Sequence, residues 1–397
     1  MSRQVADKEI TSKIISRFRD IMFAEEIKKE LYRELRTTKT RGVFLEYDGK
    51  TYLNLSSNDY LGISTHTDWQ DEFFSGIRGS NDFLTGSCSS RLLTGNDPSY
   101  DLLEKEITRS YEKESCLVFG SGYHANLGIL SALTQKNDLI LADRFVHASL
   151  IDGMKLCRCK WRRYRHNDFD HIEQILRESR KNFRNVFIVT ESIFSMEGDA
   201  IDLARLVTIK KKYDTFLYID EAHAVGVRGE QGLGLAEETR LLDDVDLLVG
   251  TFGKAIASHG AFLISNNCFR EILINTARTL IFTTALPPII NRWTHFIWRK
   301  MLNMQKERDH LQTQAELFRN LLSDRGLPGN SHIVPMLVGN NGRCLEIADK
   351  LRNSGLWVSA IRHPTVPLNR PRIRFSLTAA LTEQQIHNIY DTLLETL

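Results

Sequence analysis

The chain has 397 residues, of which 42% are hydrophobic and 26% are charged, the balance of a folded globular protein. This length allows more than one hydrophobic core and favours two or three domains. The formal net charge of +2 gives no long-range attraction to nucleic acid or to a membrane surface, so neither is expected as a partner.

The six cysteines are scattered along the chain and indicate reduced thiols. They show no C-x-x-C spacing of a zinc or thiol-redox site, and Cys88 and Cys116 are expected to be small buried side chains. The N-terminal segment alternates charges through a helical pattern and lacks the apolar region of a signal peptide. No apolar run approaches the length of a membrane span. We therefore expect a cytoplasmic protein without a metal site and without membrane insertion.

The first elements along the chain are an arm and a hairpin. Apolar residues at helical spacing from Lys8 to about Leu35 predict an N-terminal arm. The runs VFLEY and TYLNL follow, and Asp48-Gly49 between them predicts a tight turn. Helical patterns then alternate with short apolar runs, which are SCLVFG, DLILAD, NVFIVTES, TFLYID, DLLVGTF and GAFLIS. This alternation is typical of a mostly parallel sheet with helices on both faces.

The pattern changes near Pro287. Residues 289–322 predict one long helix, and HIVPMLVG, GLWVSAIR and RIRFSLT predict the short strands of an α+β domain. The predicted organisation is an N-terminal arm and hairpin at residues 1–55, a large cofactor-binding domain at residues 56–288 and a small C-terminal domain at residues 289–397.

Polar features follow three of the predicted strands, at the sheet edge where open α/β folds bind ligands. The turn FGSGYHA leads into a helix, and free N–H groups at a helix start can bind phosphate. Asp220 ends the run TFLYID and precedes His223; an acid there can keep a pyridinium nitrogen protonated. Lys254 follows DLLVGT, and a buried lysine is costly unless its pKa falls or it forms an imine. Taken alone, the Gly-rich turn could be a helix cap, His223 a core histidine and Lys254 a surface lysine. The order of the three features along the chain is therefore what indicates a cofactor site.

Motifs in the same order resemble the α-oxoamine synthases, a family of fold-type I pyridoxal phosphate (PLP) enzymes. The resemblance runs from LNLSSNDYLG to IRFSLTAA and includes SRLLTGN, GYHANLG, DRFVHASL, ESIFSMEGD, DEAHAVGVRGEQGLG and GTFGKA. It implies a large, mostly parallel sheet domain with helices on both faces and a smaller α+β C-terminal domain. It also implies pyridoxal 5′-phosphate as cofactor and a homodimer with shared active sites.

The resemblance assigns roles to individual residues. Lys254 matches the lysine that forms a Schiff base with the cofactor, Asp220 matches the acid that pairs with the pyridine nitrogen, and His147 matches the histidine stacked on the ring. These three are the expected catalytic residues. The other implied cofactor contacts are His223 and Ser195 at the phenolic oxygen, Gly122, Tyr123 and Thr251 at the phosphate, and Thr283 and Thr284 at the phosphate of the neighbouring subunit.

The family joins an amino acid to an acyl thioester with loss of carbon dioxide and release of a thiol. The run IRHPTVP before RIRFS is most similar to members that condense L-alanine with a pimeloyl thioester of coenzyme A (CoA) or acyl carrier protein (ACP). Their product is 8-amino-7-oxononanoate, in biotin synthesis. The implied substrate contacts are Arg374 at the amino-acid carboxylate, together with Asn58, Thr365, Arg362 and Arg33, with Arg36 as an alternative to Arg33.

Three positions depart from the family pattern and bear on acyl specificity. Cys88 stands where glycine is usual, His259 where smaller residues are common, and His363 where proline is expected. Glycine C-acetyltransferase, serine palmitoyltransferase, 5-aminolevulinate synthase and long-chain aminoketone synthase share nearly every motif and stay open as alternatives. More remote alternatives are an aminotransferase and an inactive partner subunit, although an inactive subunit is expected to have lost Lys254 or Asp220.

Overall fold

A computed structural model of the chain describes residues 13, 15–21, 24, 30–77 and 85–397. Within the predicted arm, residues 13, 15–21 and 24 are helical and exposed, whereas residues 8–12, 14, 22–23 and 25–29 lie outside the described part. The strands are β1 (Lys39–Arg41), β2 (Phe44–Tyr47), β3 (Lys50–Asn54), β4 (Ser115–Phe119), β5 (Leu139–Asp143), β6 (Lys160–Tyr164), β7 (Val186–Glu191), β8 (Phe216–Asp220), β9 (Leu247–Thr251), β10 (Ala261–Ser265), β11 (Ile333–Leu337), β12 (Leu356–Trp357), β13 (Ser359–Ile361) and β14 (Arg372–Ser376).

The α-helices follow the strands in the alternation that the sequence predicts. Among the described residues, no helix is both long and apolar enough to cross a membrane. The α-helices are Thr67–Ile77, Pro98–Tyr111, Gly122–Leu133, Ala148–Leu156, Phe169–Ser179, Leu203–Tyr213, Leu235–Glu238, Asn267–Thr276, Arg278–Ile281, Pro288–Met301, Gln305–Leu321, Asn341–Asn353 and Glu383–Thr396. Shorter helical turns are Ile63–Thr65, Arg91–Gly95, Arg180–Asn182, Leu242–Asp244 and Ser323–Arg325.

The central sheet has seven strands in the order β4-β10-β9-β8-β7-β5-β6. Only β10 pairs antiparallel with its neighbours, so the sheet is mostly parallel. Alternate residues of β5 pack into two different hydrophobic clusters, with Leu139 and Leu141 in one and Ile140 and Ala142 in the other. Because successive side chains point to opposite faces of a strand, both faces of this sheet are covered. The predicted fold class is confirmed.

The edge strand β6 was not among the predicted strands. Its sequence, KWRRY, has four exposed residues and a single buried one, Tyr164. An edge strand with one paired side does not need the apolar run by which the buried strands were recognised.

The C-terminal part contains a second, antiparallel sheet in the order β11-β14-β13. Strand β12 leaves this region and pairs in parallel with β3, so that Leu356 lies opposite Leu53. The N-terminal hairpin therefore extends a sheet that ends in a C-terminal strand. The predicted domain boundaries stay a prediction.

The prediction of one long helix over residues 289–322 is wrong. Two helices, Pro288–Met301 and Gln305–Leu321, are separated by residues 302–304. The buried Arg308 guanidinium donates hydrogen bonds to the carbonyl oxygens of Met301, at 2.9 Å, and Leu302, at 3.4 Å. These bonds satisfy carbonyl groups at the end of the first helix and stabilise the break. Neither proline nor glycine marks it in the sequence.

A charged cluster fastens the end of β5 to the loop that follows β7. His166 Nδ1 lies 3.0 Å from Asp143 Oδ1, and His166 Nε2 lies 2.8 Å from Asp199 Oδ2. Burial lowers the pKa of His166, but the two carboxylates outweigh it and raise this pKa to about 9. The protonated imidazole can then donate to both acids at once. The loop that it holds carries Ser195, which is next to the site described below.

The raised pKa of His166 predicts a pH-dependent contribution to stability. Since the pKa is above the ordinary 6.5, the contribution is complete below pH 6.5 and is lost as pH rises through about 9. We expect His166→Gln to lower the free energy of unfolding by on the order of 2–3 kcal/mol more at pH 6 than at pH 10. Urea unfolding at both pH values measures this, with His387→Gln as control, a half-buried helical histidine whose acidic neighbour Glu383 is 3.9 Å away. Equal losses of unfolding free energy at both pH values would contradict a protonated His166 between the two carboxylates.

Candidate active site

The carboxyl ends of β7, β8 and β9 meet the start of the helix Gly122–Leu133 around a cavity of about 180 Å³. Parallel strands bring their carboxyl ends to the same edge of the sheet, which is why residues far apart in sequence meet here. The cavity brings together seven of the predicted cofactor-binding residues. The lining residues are Gly122, Tyr123, Asn126, His147, Ser149, Glu191, Asp220, Ala222, His223, Thr251 and Lys254.

A fixed carboxylate lies on one side of the cavity. Asp220, the last residue of β8, is buried and accepts hydrogen bonds from Asn126 Nδ2 at 2.8 Å and from the Ala222 N–H at 2.9 Å. Asn126 is itself held by the Tyr218 hydroxyl, which donates to its Oδ1 at 2.6 Å. The carboxylate therefore has a set orientation, suited to a cationic ring nitrogen.

A primary amine lies opposite, next to an imidazole. Lys254 Nζ is 2.8 Å from His223 Nε2. Burial lowers the pKa of Lys254 to about 8, although the charges of Asp220 and Glu191 act in the other direction. Burial also lowers the pKa of His223 well below its ordinary value, and the charge of Lys254 adds to this effect. Near pH 8 much of the amine is neutral, the form that attacks an aldehyde.

His147 lies at the open mouth of the cavity, at the N-cap of the helix Ala148–Leu156. Its Nδ1 accepts from the Ser149 N–H at 3.3 Å and lies 2.8 Å from the Ser149 hydroxyl. Its backbone N–H donates to the buried carboxyl of Glu191. Desolvation lowers the pKa of His147 and so favours its neutral imidazole. The charge of Asp220 raises this pKa and offsets part of the effect. Burial, together with the neighbouring Asp220, raises the pKa of Glu191 well above its usual range.

The start of the helix Gly122–Leu133 offers a position for a phosphate. Backbone N–H groups at a helix start can bind an anion, and the helix dipole favours one there. The Ser121 hydroxyl already accepts from the His124 N–H at 3.1 Å, so the N–H groups before His124 are the candidates. A Cβ added to Gly122 would lie 3.8 Å from Thr251 Cβ, so the two residues border the same space. The Tyr123 hydroxyl donates to Asp152, and its ring centroid is 6.5 Å from that of His147.

Arg374 supplies a buried cation that is linked to the amine through Tyr60 and His223. It lies on β14, is 6% exposed, and donates from Nε to the Ser195 carbonyl oxygen at 2.8 Å. Its terminal nitrogens lie 3.3–3.4 Å from Asn58 Oδ1 and 3.3 Å from the Tyr60 hydroxyl oxygen. The guanidinium is thus oriented by neutral acceptors, and no carboxylate among the described residues forms an ion pair with it. A carboxylate ligand would be its natural partner.

Three predicted cofactor contacts do not line this cavity: Ser195, Thr283 and Thr284. Ser195 borders the site through its carbonyl group, which accepts from Arg374. Thr283 is half-buried and Thr284 is exposed.

The predicted donor-side residues form a group of their own. Arg33 donates to the Thr365 hydroxyl at 3.0 Å, and Arg362 donates to the backbone carbonyl groups of Glu30 and Tyr32. Arg36 instead lies 5.9 Å from the ring centroids of Tyr47 and Trp357. Of the two candidate arginines, Arg33 is therefore the one that contacts the 362–365 segment.

A larger cavity of about 710 Å³ is bordered by residues 363–368, and Arg144, Arg163 and Arg165 line it as well. Thr365 and His363 are part of its wall. This space is wide enough for a ligand much larger than an amino acid.

The departures from the family pattern have different settings. Cys116 is buried as predicted, whereas the prediction that Cys88 is buried is wrong. Cys88 is exposed and has a φ of +53°, a conformation that glycine adopts without strain. His259 is exposed.

Sequence reasoning did not single out Tyr60, Asn126 or Glu191. Each had a signal: Tyr60 follows Asn58 by two residues, Asn126 is one helical turn after Gly122, and Glu191 ends β7 as Asp220 ends β8. The rule that strand ends gather at one sheet edge would have found Glu191.

Comparison with known proteins places this site in a family. Residues 50–393 match the family described as Aminotransferase class I and II. The chain is 47% identical over 372 residues to the 8-amino-7-oxononanoate synthase of Chlorobaculum parvum, covering 92% of this chain and 95% of the relative. The chain belongs to the aminotransferase class I and II family and, within it, to the α-oxoamine synthases, which are PLP-dependent acyltransferases.

Two solved structures show the same fold. A serine palmitoyltransferase from S. paucimobilis with bound PLP and myriocin has a TM-score of 0.88 at 26% identity, covering 95% of this chain and 97% of that one. An 8-amino-7-oxononanoate synthase from Francisella tularensis has a TM-score of 0.73 at 29% identity, covering 87% and 97% of the two chains.

The cofactor is pyridoxal 5′-phosphate, and the residues present fit it. An amine of lowered pKa, a fixed carboxylate, an imidazole and a helix start surround one small cavity. The amine matches the aldehyde of the cofactor, and the carboxylate matches its ring nitrogen. The imidazole matches the aromatic face of the ring, and the helix start matches the phosphate.

The lowered pKa of Lys254 predicts how its reactivity changes with pH. In cofactor-free protein only the neutral amine reacts, so its acetylation by trace acetic anhydride should rise with pH and reach half its maximum near pH 8. Since the Asp220 charge raises this pKa, Asp220→Asn should lower the midpoint by about one unit. Peptide mass spectrometry measures the labelling. Asp152→Asn, which removes a more distant acid, is the control, and a midpoint above pH 10 would contradict the buried amine.

Proposed function

We propose that the protein condenses L-alanine with a pimeloyl thioester, releasing carbon dioxide and the free thiol and giving 8-amino-7-oxononanoate for biotin synthesis. The observation that carries this proposal is the buried Arg374 guanidinium, which is oriented by Asn58 and is linked through Tyr60 and His223 to the reactive amine of Lys254. The 47% identity to the synthase of Chlorobaculum parvum supports the choice of substrates.

In this proposal Arg374 binds the carboxylate of the amino acid. A guanidinium can hold a carboxylate through two parallel hydrogen bonds, which fixes the plane of that group as well as its position. Asn58 lies within hydrogen-bond distance of the same guanidinium and completes the pocket.

Lys254 has two tasks. As the neutral amine it would hold the aldehyde of the cofactor, and as a free base it would take the proton from Cα of the amino acid. Its pKa of about 8 suits both tasks near neutral pH. When bound, pyridoxal phosphate supplies an electron sink for the negative charge left on Cα. Asp220 would hold the ring nitrogen in its protonated form, and His147 would lie against one face of the ring.

The remaining predicted contacts complete the cofactor site. We assign His223 and Ser195 to the phenolic oxygen and Gly122, Tyr123 and Thr251 to the phosphate. Thr283 and Thr284 lie outside this cavity, in agreement with a role at the neighbouring subunit of a homodimer. This leaves the homodimer and its shared sites as part of the proposal.

The acyl donor occupies the larger cavity in this proposal. Thr365 borders that cavity and accepts a hydrogen bond from Arg33, while Arg362 anchors the segment before it. Cationic side chains at Arg144 and Arg163 suit the phosphate groups of a CoA or ACP thioester.

The choice of substrates predicts a ranking of thiol release. With PLP-loaded protein, L-alanine and pimeloyl-CoA should give a kcat/KM about ten-fold or more above glycine or serine with the same donor. Glycine lacks the methyl group that fills a fitted pocket, and serine brings a hydroxyl group for which such a pocket has no partner. Palmitoyl-CoA with L-alanine should be slower still. Faster release with glycine or serine would reject the substrates and keep the family. No release with any pair, and conversion of the cofactor to its amine form by alanine alone, would favour an aminotransferase.

The double task of Lys254 predicts the effect of removing it. Lys254→Ala should keep the fold and retain some cofactor, but turnover should fall by at least about 10²–10⁴-fold because the proton carrier is gone. Borohydride should no longer attach the cofactor covalently to the chain. Lys350→Ala, an exposed helical lysine, is the control in both assays. Turnover within a few fold of the wild type would remove Lys254 from the mechanism.

A further inference from the structure

One side-chain amide joins two groups that the proposed function assigns to the cofactor ring. Asn126 is 1% exposed, and its Nδ2 lies 2.8 Å from Asp220 Oδ2 and 2.9 Å from Ser149 Oγ. Ser149 is equally buried, and its Oγ lies 2.8 Å from His147 Nδ1. The acid and the imidazole are therefore connected through a relay of two buried side chains, Asn126 and Ser149.

The orientation of the Asn126 amide follows from the chemistry of its neighbours. The Asp220 carboxylate can only accept, so the amide must turn its Nδ2 toward that group. On the other side, the Tyr218 hydroxyl donates to Asn126 Oδ1 at 2.6 Å, which agrees with this orientation. The second hydrogen on Nδ2 is donated to Ser149 Oγ.

Two donors of Ser149 meet at the same ring nitrogen. Its backbone N–H lies 3.3 Å from His147 Nδ1, and its hydroxyl oxygen lies 2.8 Å from that atom. Among the residues that the structure describes, Ser149 supplies both hydrogen bonds to Nδ1. A nitrogen that faces a backbone N–H has to accept, so a neutral His147 carries its proton on Nε2. Desolvation lowers the pKa of His147 and favours this neutral form.

We propose that Asn126 and Ser149 are positioning residues that hold His147 in the tautomer with its proton on Nε2. Because Asn126 donates to the Ser149 oxygen, the hydroxyl proton is free to point at Nδ1. A proton on Nδ1 would instead face the Ser149 N–H and leave the buried hydroxyl proton without an acceptor. The same amide holds Asp220, so one side chain sets the orientation of both the acid and the imidazole.

The relay does not depend on the state of the reactive amine. None of its hydrogen bonds uses Lys254, so a cofactor attached to that lysine leaves the relay in place. Asp220 accepts one bond at Oδ2, from Asn126, and one at Oδ1, from the Ala222 N–H. Each oxygen keeps a lone pair for the nitrogen of the cofactor ring.

Nitrogen-15 nuclear magnetic resonance of the holoenzyme, labelled at histidine, reads the tautomer of His147 directly. At pH 8, above the ordinary histidine pKa of about 6.5, the signals show which ring nitrogen carries the proton. A His147→Gln sample identifies these signals. The wild type should carry the proton on Nε2.

Removal of either relay residue should weaken this preference. Ser149→Ala leaves only the longer N–H contact at Nδ1, and Asn126→Ala frees the Ser149 oxygen to accept from Nδ1. Each should lower the ratio of the two tautomers about three- to ten-fold, the range for one neutral hydrogen bond. Ser131→Ala, which removes a hydroxyl bonded to the Leu127 carbonyl on the same helix as Asn126, is the control and should match the wild type.

A double-mutant cycle tests whether Ser149 acts through His147, and it rests on the proposed position of His147 against the cofactor ring. Ser149→Ala should raise the Kd for PLP, measured by dialysis of the holoenzyme, about three- to ten-fold. In a His147→Ala background the same change should have no effect. Asn126→Ala should keep part of its effect there, because it also releases Asp220.

The results that overturn the proposal differ between the two measurements. A proton on His147 Nδ1 in the wild type, or the wild-type tautomer ratio in Ser149→Ala, overturns it. An equal rise in the Kd for PLP with and without His147 overturns the route through that imidazole. Circular dichroism verifies that the variants are folded, and Ser149→Ala suffices if Asn126→Ala is not. Since neither measurement uses an amino acid or an acyl donor, failure of the proposed condensation is recognised separately.

Discussion

Lys254 is a primary amine held in a largely buried position. A buried ammonium group loses its hydration, so either hydrogen bonds and charges of the protein replace the water or the pKa of the group falls and it releases its proton. In this site the neighbouring groups replace part of the lost hydration, and the pKa of the amine also falls. Its pKa of about 8 shows that burial outweighs the nearby carboxylates without removing the charge altogether. The rest of the site follows from this balance, because each neighbour of the amine must tolerate both of its protonation states. A neutral imidazole at His223 and a hydrogen-bonded carboxylate at Asp220 meet that condition.

The carboxylate and the amine also have to be kept from pairing directly. Asp220 is turned toward Asn126 and the Ala222 N–H, whereas Lys254 is turned toward His223. A close ion pair would raise the pKa of the amine and occupy the acid. Separate hydrogen-bond partners leave both groups available to a ligand that fits between them.

Much of this site could be predicted from the sequence, because its main residues sit at the ends of strands. Asp220 and Lys254 follow apolar runs that had to be buried strands, and parallel strands present their ends at one edge. The same reasoning could not locate β6, whose exposed KWRRY sequence lacks the pattern of a buried strand. It also could not find the break after Met301, which depends on hydrogen bonds from a side chain seven residues later. The contact of Asn58 with Arg374 joins positions 316 residues apart, and no local pattern encodes it.

That separation has a consequence for how the protein is made. Strand β3 meets its partner β12 only after most of the chain exists, and Asn58 meets Arg374 later still. A nascent chain leaving the ribosome can already carry the amine and the acid of the central sheet. It has no guanidinium beside them until almost the last residues have been added. The order of synthesis therefore completes the cofactor-binding groups first and withholds the amino-acid pocket until the polypeptide is nearly finished.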